Sequence, residues 1–231
     1  MNDLPNLSNG GFKLRPLHLQ IEHLQVHLSA VDNLDELLER LLAKGSDHED
    51  VRDERIPYWA ELWPAAIVLS RHLIRNKLVR PDTSVLEIGC GLGLAGVVAG
   101  MLGGEVTLSD YLPEALEFAR LNWAHNLGHP ARFEILDWRS PDPSMAAQLL
   151  LAADVAYEKR AFPFLPRAFH TLCQSHGLIL AADPCRSSAP EFFGHILPGE
   201  GFEVRSFCYE EPHNGHTFKI NVYEIRKLHE V

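Results

Sequence analysis

The sequence predicts an α/β fold in which a doubly wound, mostly parallel sheet carries helices on both faces and has an antiparallel edge strand at the C-terminus. Short apolar runs at 84–88, 105–109 and 149–153 alternate with segments of helical periodicity, which is typical of parallel sheets. A glycine-rich turn follows the first of these runs. Near the end of the chain, the segments 202–209 and 217–226 flank an Asn-Gly turn and predict a hairpin.

Bulk composition restricts the class of protein. A chain of 231 residues suits one α/β domain. Its 21 basic and 31 acidic residues give a net charge of −10, which disfavours a surface built for nucleic-acid backbone. The four cysteines lack C-x-x-C spacing and the histidines are dispersed, so we expect reduced thiols and no metal site. No signal peptide or membrane-length apolar run is evident, and a cytoplasmic location is expected.

We expect a division of the chain after its charged segment 46–55, into an N-terminal extension, 1–55, and a domain spanning 56–231. Semi-alternating apolar residues at 14–28 predict a short strand or hairpin in the extension. An amphipathic helix follows, capped by Asp32 or Asn33 and ended by a glycine. The charged connection after this helix is interpreted either as an exposed loop or as a possible lid.

The glycine-rich turn predicts a ligand site. Gly89, Gly91 and Gly93 follow the strand at 84–88 and precede an apolar helical segment. Glycine lets the backbone turn sharply and lets a ligand lie against it, while the free amides of the helix start favour an anionic group. Because Gly91, Gly93 and Gly96 also fit the dinucleotide pattern G-x-G-x-x-G, the spacing alone leaves the kind of nucleotide open.

Acidic residues end the predicted strands. Asp110 follows the second strand, about 20 residues beyond Glu87, where a carboxylate accepts from both ribose hydroxyls in Rossmann-type units. Asp137, Asp154 and Asp183 follow the next three strands. Asp154 and Tyr157 come just beyond the fourth strand, so we expect them at the carboxyl edge of the sheet, where open α/β folds bind ligands. Helix capping and turn formation are the alternative interpretations for the acidic residues.

Four motifs together resemble a known family. Glu87 begins E-x-G-x-G-x-G, which is similar to motif I of class I methyltransferases that use S-adenosyl-L-methionine (AdoMet). P-Y-W-A-x-x-W-P at 57–64, D-x-x-Y at 154–157 and D-P-x-R at 183–186 resemble the protein-lysine methyltransferases of this class. The branch that modifies the β-subunit of electron transfer flavoprotein is nearest. The resemblance, which extends from Pro57 to about residue 193, implies a Rossmann-like, seven-stranded sheet.

The resemblance also implies roles for individual residues. Glu87 would support the methionine end of AdoMet, and the product would be S-adenosyl-L-homocysteine. Asp154 would accept a hydrogen bond from the incoming amine of a protein substrate, and Tyr157 would line the channel and hold the cation. Substrate-binding residues would be Trp59, Asp183 and Arg186. Cofactor-binding residues would be Trp63, Glu87, Gly89, Gly91, Gly93, Asp110, Tyr111, Asp137 and Trp138.

Several alternatives remain open on the sequence. Asp154 and Tyr157 are equally compatible with a strand-end cap and a packed aromatic, and the tryptophan segment with a packed corner. A small-molecule N-methyltransferase acting on a nicotinamide-like amine would share the cofactor half, with residues 14–45 closing its site. A non-catalytic AdoMet-binding protein and an NAD-dependent oxidoreductase are further alternatives, although Tyr157 and Lys159 are too close for Y-x-x-x-K. Because D-V-A-Y replaces N-P-P-Y, base amines and glutamine are disfavoured as acceptors.

Overall fold

A computed structural model describes residues 11–52 and 55–228 as a two-stranded hairpin followed by a seven-stranded sheet with helices. The strands are β1 Leu14–Ile21, β2 Leu24–Val31, β3 Ser84–Ile88, β4 Glu105–Asp110, β5 Arg132–Ile135, β6 Ala147–Ala153, β7 Cys173–Asp183, β8 Phe202–His213 and β9 His216–Lys227. The helices are α1 Leu34–Leu42, α2 Glu49–Arg52, α3 Pro64–Arg75, α4 Leu94–Met101, α5 Pro113–Asn126, α6 Leu165–Leu172, α7 Ala189–Glu191 and α8 Leu197–Gly199, with a π-helical turn at Phe192–Ile196 between the last two.

The large sheet has the strand order β5-β4-β3-β6-β7-β9-β8. Strands β3 to β7 pair in parallel, whereas β9 is antiparallel to both β7 and β8. The order reverses between β3 and β6, so the loops after these strands diverge and leave a crevice at their carboxyl ends. The predicted fold class is confirmed. The antiparallel strand itself is β9, which lies one position inside the edge strand β8.

Most predicted elements occur at their expected positions. The expected hairpin at the C-terminus turns at Asn214 and Gly215, which both have positive φ, as a tight two-residue turn requires. The sequence also predicts a helix at 161–173, and this prediction is wrong at its start, because α6 begins at Leu165 with Pro166 in its first turn. A 3₁₀ turn occupies Lys159–Ala161. The predicted charged connection lies partly outside the described residues, and its described part contains α2.

Two apolar cores lie on opposite faces of the large sheet. Val85 of β3 faces the core shared with α3, α4 and α5, whereas Leu86 and Ile88 face the core formed with α6 and Phe192. This alternation follows from the two-residue period of a strand. Within the described residues, no helix is both long enough and apolar enough to cross a bilayer.

The hairpin β1–β2 packs into the first of these cores. Ile21, Val26 and Leu28 are buried there together with Phe118 of α5. The structure confirms the expected hairpin and the helix after it. Asn33 is the N-cap residue of α1 but makes no side-chain cap; its amide instead bonds with neighbouring backbone and with a glutamate. The division of the chain at residue 55 stays a prediction.

Two asparagines of α5 hydrogen-bond to the free edge of β2. Asn122 Oδ1 accepts from Ser29 N at 2.6 Å and its Nδ2 donates to Ser29 O at 3.2 Å. Asn126 makes the same pair of bonds to His27, at 2.9 and 2.7 Å. Four helical residues advance about 6 Å and two strand residues about 6.8 Å, so an i, i+4 pair matches alternate strand residues. Asn122 Nδ2 also donates to Leu92 O at 2.9 Å, in the glycine-rich loop.

The two asparagines form a matched pair for a stability experiment. Asn122 is fully buried, whereas the bonds of Asn126 to His27 are exposed. We expect Asn122→Ala to lower the free energy of unfolding by about 2–4 kcal/mol, because it leaves buried backbone groups without partners. We expect Asn126→Ala to cost about 1 kcal/mol or less, because water replaces the lost bonds. Urea denaturation measures both, and equal losses would contradict the role of burial.

Candidate functional site

A cavity of about 730 Å³ opens at the carboxyl edge of the sheet, where the strand order reverses. It is bounded by the loops after β3, β4, β5 and β6 and by the segment that leads into α3. The structure brings most of the predicted site residues to its wall. Those lining it are Trp59, Trp63, Gly89, Gly91, Gly93, Asp110, Tyr111, Asp137, Trp138, Asp154, Tyr157 and Arg186. Glu87 and Asp183 lie behind the wall, fully buried.

The glycine-rich loop forms a wall of backbone atoms that leaves no room for side chains at Gly91 and Gly93. Gly89, Gly91 and Gly93 have φ values of 59°, 50° and 78°, which other residues rarely adopt. A Cβ on Gly91 would lie 3.2 Å from the carbonyl oxygen of Trp59, and one on Gly93 would lie 2.7 Å from a methyl carbon of Leu108. The loop therefore fits closely against the segment before α3 and against β4.

Glu87 supports this loop from beneath. Its side chain is on β3 and is buried, and its Oε2 accepts a hydrogen bond from Gly96 N at 2.8 Å. A Cβ on Gly96 would lie 2.7 Å from the same oxygen, so the motif needs glycine there as well. Burial raises the pKa of Glu87 to about 8, against the hydrogen bond from Gly96, which lowers it. In the protein alone, burial therefore favours the neutral form of this carboxyl near neutral pH.

Asp110 presents a carboxylate at the end of β4. Its Oδ2 accepts from Gly91 N and its Oδ1 from Leu112 N, both at 3.0 Å. Burial raises the pKa of Asp110, while these backbone amides act in the opposite direction. The backbone amide of Tyr111 also donates to this carboxylate. Since a carboxylate accepts about four hydrogen bonds, the group retains acceptor capacity for a hydroxyl in the cavity.

Two arginines that the sequence prediction missed lie at the next corner of the cavity. Arg139 Nε donates to both carboxylate oxygens of Asp137, at 3.0 and 2.8 Å. The guanidinium carbons of Arg139 and Arg55 lie 5.2 and 5.1 Å from the centre of the Tyr111 ring. Arg55 also donates to the Tyr111 hydroxyl at 2.9 Å and to Asp50 at 2.6 Å. The only sequence signal for this arrangement is the proximity of Arg139 to Asp137.

The opposite end of the cavity contains a triad of charged side chains. Asp154 follows β6 with a φ of 59°, and its N–H donates to Ala182 O at 2.8 Å. Its Oδ1 accepts from Arg186 Nη1. The same Nη1 donates to Asp183 Oδ2 at 3.3 Å, and Arg186 N donates to Asp183 Oδ1 at 2.8 Å. Burial raises the pKa of Asp154, and Arg186 lowers it.

Aromatic side chains surround the mouth above this triad. Tyr58, Trp63, Tyr157 and Phe164 all line the cavity and are 38–43% exposed. The Tyr58 ring lies edge-on to Tyr157 at 5.8 Å and to Trp63 at 6.1 Å. Burial raises the pKa of Tyr157 to about 12, so its hydroxyl stays neutral. The sequence prediction did not include Tyr58 or Phe164, although Tyr58 is part of the quoted tryptophan motif.

Trp59 has different surroundings from the other aromatic residues. Its ring packs against Phe12 at 5.9 Å and Phe118 at 5.2 Å, so one side of it belongs to the core. The predicted packed corner and the predicted place at the cavity are therefore both found for this residue. Across residues 11–52 and 55–228, no three His, Cys, Asp or Glu side chains are arranged to hold a metal ion.

The raised pKa of Glu87 makes a pH-dependent prediction for the protein without ligand. The Glu87 carboxyl holds its proton up to about pH 8 in the folded state, whereas the unfolded chain releases this proton near pH 4.5. The contribution of Glu87 to stability should therefore fall as the pH rises from about 5 to 8. Glu87→Gln keeps an oxygen for Gly96 N–H and should gain stability relative to the wild type over this range. Denaturation at pH 5, 6.5 and 8 measures the difference, and a constant difference would contradict the assignment.

Comparison with known proteins identifies the family. A family model described as lysine methyltransferase matches residues 51–197. The chain is 29% identical to Protein N-lysine methyltransferase METTL21A of Xenopus tropicalis, covering 73% of this chain and 80% of that protein. It is 31% identical to EEF1A lysine methyltransferase 3 of Mus musculus, covering 74% of each. It is 32% identical to the Electron transfer flavoprotein beta subunit lysine methyltransferase of Xenopus laevis, covering 67% of this chain and 64% of that protein.

A solved structure supports the fold independently. The magnesium protoporphyrin IX methyltransferase (ChlM) from Synechocystis PCC 6803, crystallised with bound SAM, superposes with a TM-score of 0.59 at 14% identity. It covers 85% of this chain and 92% of the other. These matches confirm the family resemblance: the chain belongs to the lysine methyltransferase family, whose members are AdoMet-dependent enzymes of the Rossmann-like class.

Proposed function

We propose that this chain transfers the methyl group of AdoMet to the side-chain amine of a lysine in a protein substrate. The observation that carries the proposal is that one cavity has two chemically different ends. At one end it has a glycine backbone wall with Asp110, and at the other it has Asp154 beneath an aromatic mouth. A nucleoside and an amine can therefore bind in line within one enclosure.

The cofactor end fits AdoMet in size and chemistry. A volume of about 730 Å³ is within the ~300–1,000 Å³ common for small-molecule sites. We propose that Asp110 accepts from the ribose hydroxyls and that Gly89, Gly91 and Gly93 let the cofactor lie against the backbone. Trp63 and Tyr111 would border the pocket. For Asp137 to accept from the adenine amine, as the resemblance implies, it would share its oxygens with Arg139, while Trp138 would contact the ring.

The substrate end fits a lysine side chain. Free lysine has a pKa near 10.4, so its ammonium must lose a proton before the nitrogen can attack. An apolar mouth lowers that pKa and a carboxylate raises it, so the two features oppose each other. We propose that Asp154 orients the amine and that the ring of Tyr157, with Tyr58, holds the cationic form by cation–π contact. Trp59, Asp183 and Arg186 would complete this end.

The chemistry supplied by AdoMet is an electrophilic methyl group whose bonding electrons stay on sulfur as the new N–C bond forms. The protein's own part is alignment. Holding two reactants in line accounts for a large part of such a rate enhancement, without a further proton donor or a metal. The proton leaves the amine for solvent at the cavity mouth before attack.

The relatives support a protein acceptor but not a particular one. The names of two relatives give different substrates, EEF1A and the electron transfer flavoprotein β-subunit. What these substrates share is a lysine amine, so the proposal is limited to that group. We further propose a reducing, cytoplasmic location, in keeping with four free cysteines. Nucleic acid is disfavoured by the net charge of −10.

Tritiated AdoMet tests the proposal directly. The purified protein is incubated with a lysate cleared of nucleic acid, and labelled products are separated by size and located by mass spectrometry. We expect label on lysines of one or a few protein bands. Label confined to small molecules would instead support the nicotinamide-type N-methyltransferase, and AdoMet binding without any transfer would support the non-catalytic alternative. Family membership already argues against the NAD-dependent oxidoreductase.

Asp154→Asn separates substrate alignment from cofactor binding. Asparagine tolerates a positive φ, so the backbone at this position should be retained. We expect methyl transfer to fall by at least about 100-fold, because the amine loses its charged partner, while AdoMet affinity changes only a few-fold. Single-turnover transfer and calorimetric binding measure the two quantities. Equal losses in both would contradict the proposed division of the cavity.

A further inference from the structure

We propose that Arg186 is the resident cation of an Asp154–Arg186–Asp183 triad that leaves one negative charge for the incoming lysine ammonium, and that Arg186 thereby sets how firmly this ammonium is held before transfer. Arg186 is a positioning residue in this account, because it acts through Asp154. The inference rests on the proposed function and specifies the substrate end of the same site.

The geometry of the triad is asymmetric. Arg186 Nη1 donates to Asp154 Oδ1 and, at 3.3 Å, to Asp183 Oδ2. The backbone N–H of Arg186 fixes the second oxygen of Asp183 at 2.8 Å. The side chain of Asp183 is 1% exposed and that of Asp154 is 9% exposed, whereas Arg186 is 29% exposed. Asp183 therefore anchors Arg186 from behind, and only Asp154 and Arg186 line the cavity.

The charges of the triad do not balance. Two carboxylates share one guanidinium, so one negative charge remains near the cavity wall when both are ionised. A buried charge without a partner is costly, and a second cation at the wall would remove that cost. A lysine ammonium that reaches Asp154 completes an arrangement of two anions and two cations. Unlike a neutral polar group, this triad therefore selects for a cation.

The other charged groups around the cavity are paired or lie elsewhere. Arg160 donates to Glu158, Arg139 to Asp137, Arg55 to Asp50, and Arg15 to Glu61 at 3.4 Å. Asp110 is at the cofactor end and is held by backbone amides. Outside the triad, Asp183 acts electrostatically on Tyr223 and Cys185, and Tyr157 follows Asp154 along the wall.

Arg186 therefore affects two opposing requirements, tight binding of the ammonium and its deprotonation. Tight binding of the ammonium lowers KM but raises the pKa of the amine, which must become neutral to attack. Removing Arg186 would strengthen the negative potential, so the bound amine would lose its proton at a higher pH. Removing the charge of Asp183 would have the opposite effect on both KM and the pKa. These opposite signs distinguish an electrostatic role from simple loss of packing.

The first experiment follows Asp154 itself, by its side-chain carboxyl ¹³C resonance in the full chain with S-adenosyl-L-homocysteine bound. Asp154→Asn and Asp183→Asn assign the two resonances. We expect Arg186→Gln to raise the titration midpoint of Asp154 by about 1 pH unit or more, because its counter-ion is lost. Arg186→Lys keeps a positive charge, so the midpoint of Asp154 in this variant should lie close to that of the wild type. Arg205→Gln, an exposed arginine paired with Glu203 on β8, is the matched control and should leave the midpoint unchanged.

The second experiment uses Nα-acetyl-L-lysine methylamide as a cationic probe. At a pH where both carboxylates are ionised, we expect Arg186→Gln to bind it several-fold more tightly and Asp183→Asn several-fold more weakly than the wild type. With the protein acceptor found in the lysate, the pH midpoint of kcat should rise in Arg186→Gln and fall in Asp183→Asn. Urea denaturation and AdoMet affinity establish that each variant is folded. The direction of the change in probe affinity in either variant alone tests the proposal.

An unmoved midpoint of Asp154 in Arg186→Gln would overturn the proposal, as would activity lost equally at every pH. Probe binding that changes in the same direction in both variants would also overturn it. The carboxyl titration needs no methyl acceptor, so its failure is distinct from failure of the proposed function. If the wild type methylated no protein lysine although the midpoint moved, the coupling of the triad would stand and its role toward lysine would be overturned.

Discussion

The hydrogen bond between the buried carboxyl of Glu87 and Gly96 N is the interaction on which the cofactor end of this fold depends. The first amides of a helix have no partners within it, so an acceptor placed beneath them fixes where the helix begins. Here the acceptor is on β3 and the amide is in α4, which leaves the glycine-rich loop a very short path between them. The positive φ values of Gly89, Gly91 and Gly93 follow from that short path.

The two ends of the cavity obtain their polarity in different ways. Asp110 and the glycine-rich loop present oxygens and amides held by backbone hydrogen bonds, which suits a neutral sugar and its hydroxyls. At the substrate end, Asp154 is paired with the guanidinium of Arg186, so the polarity of that end depends on the net charge of these side chains. A cofactor with a sulfonium centre lies between them in our proposal, and rigid alignment there depends on both loops leaving β3 and β6 at the point where the strand order reverses.

Much of this fold could be predicted from the sequence because strand and helix periods are local properties. The run ending at Ile88, the glycines after it and the acidic strand ends were sufficient to place the cavity at the carboxyl edge. The pairing of Arg186 with Asp154 was not predictable, since it joins side chains that depend on how β6 and β7 align. Arg55 was missed for a similar reason: its contact with Tyr111 spans separate elements, and no periodicity marks it.

The asparagine pair of α5 limits the ability of the hairpin to pair with other protein chains. A hairpin on the outside of a domain ordinarily has a row of unpaired amides and carbonyls, which can form hydrogen bonds with an extended segment of another chain. On β2 those positions at His27 and Ser29 are already taken by Asn126 and Asn122. A fragment that began at residue 51, where the family match starts, would lack this hairpin and would lose Phe12, Val26 and Leu28 from the core that includes Phe118. Such a fragment should aggregate more readily than the whole chain.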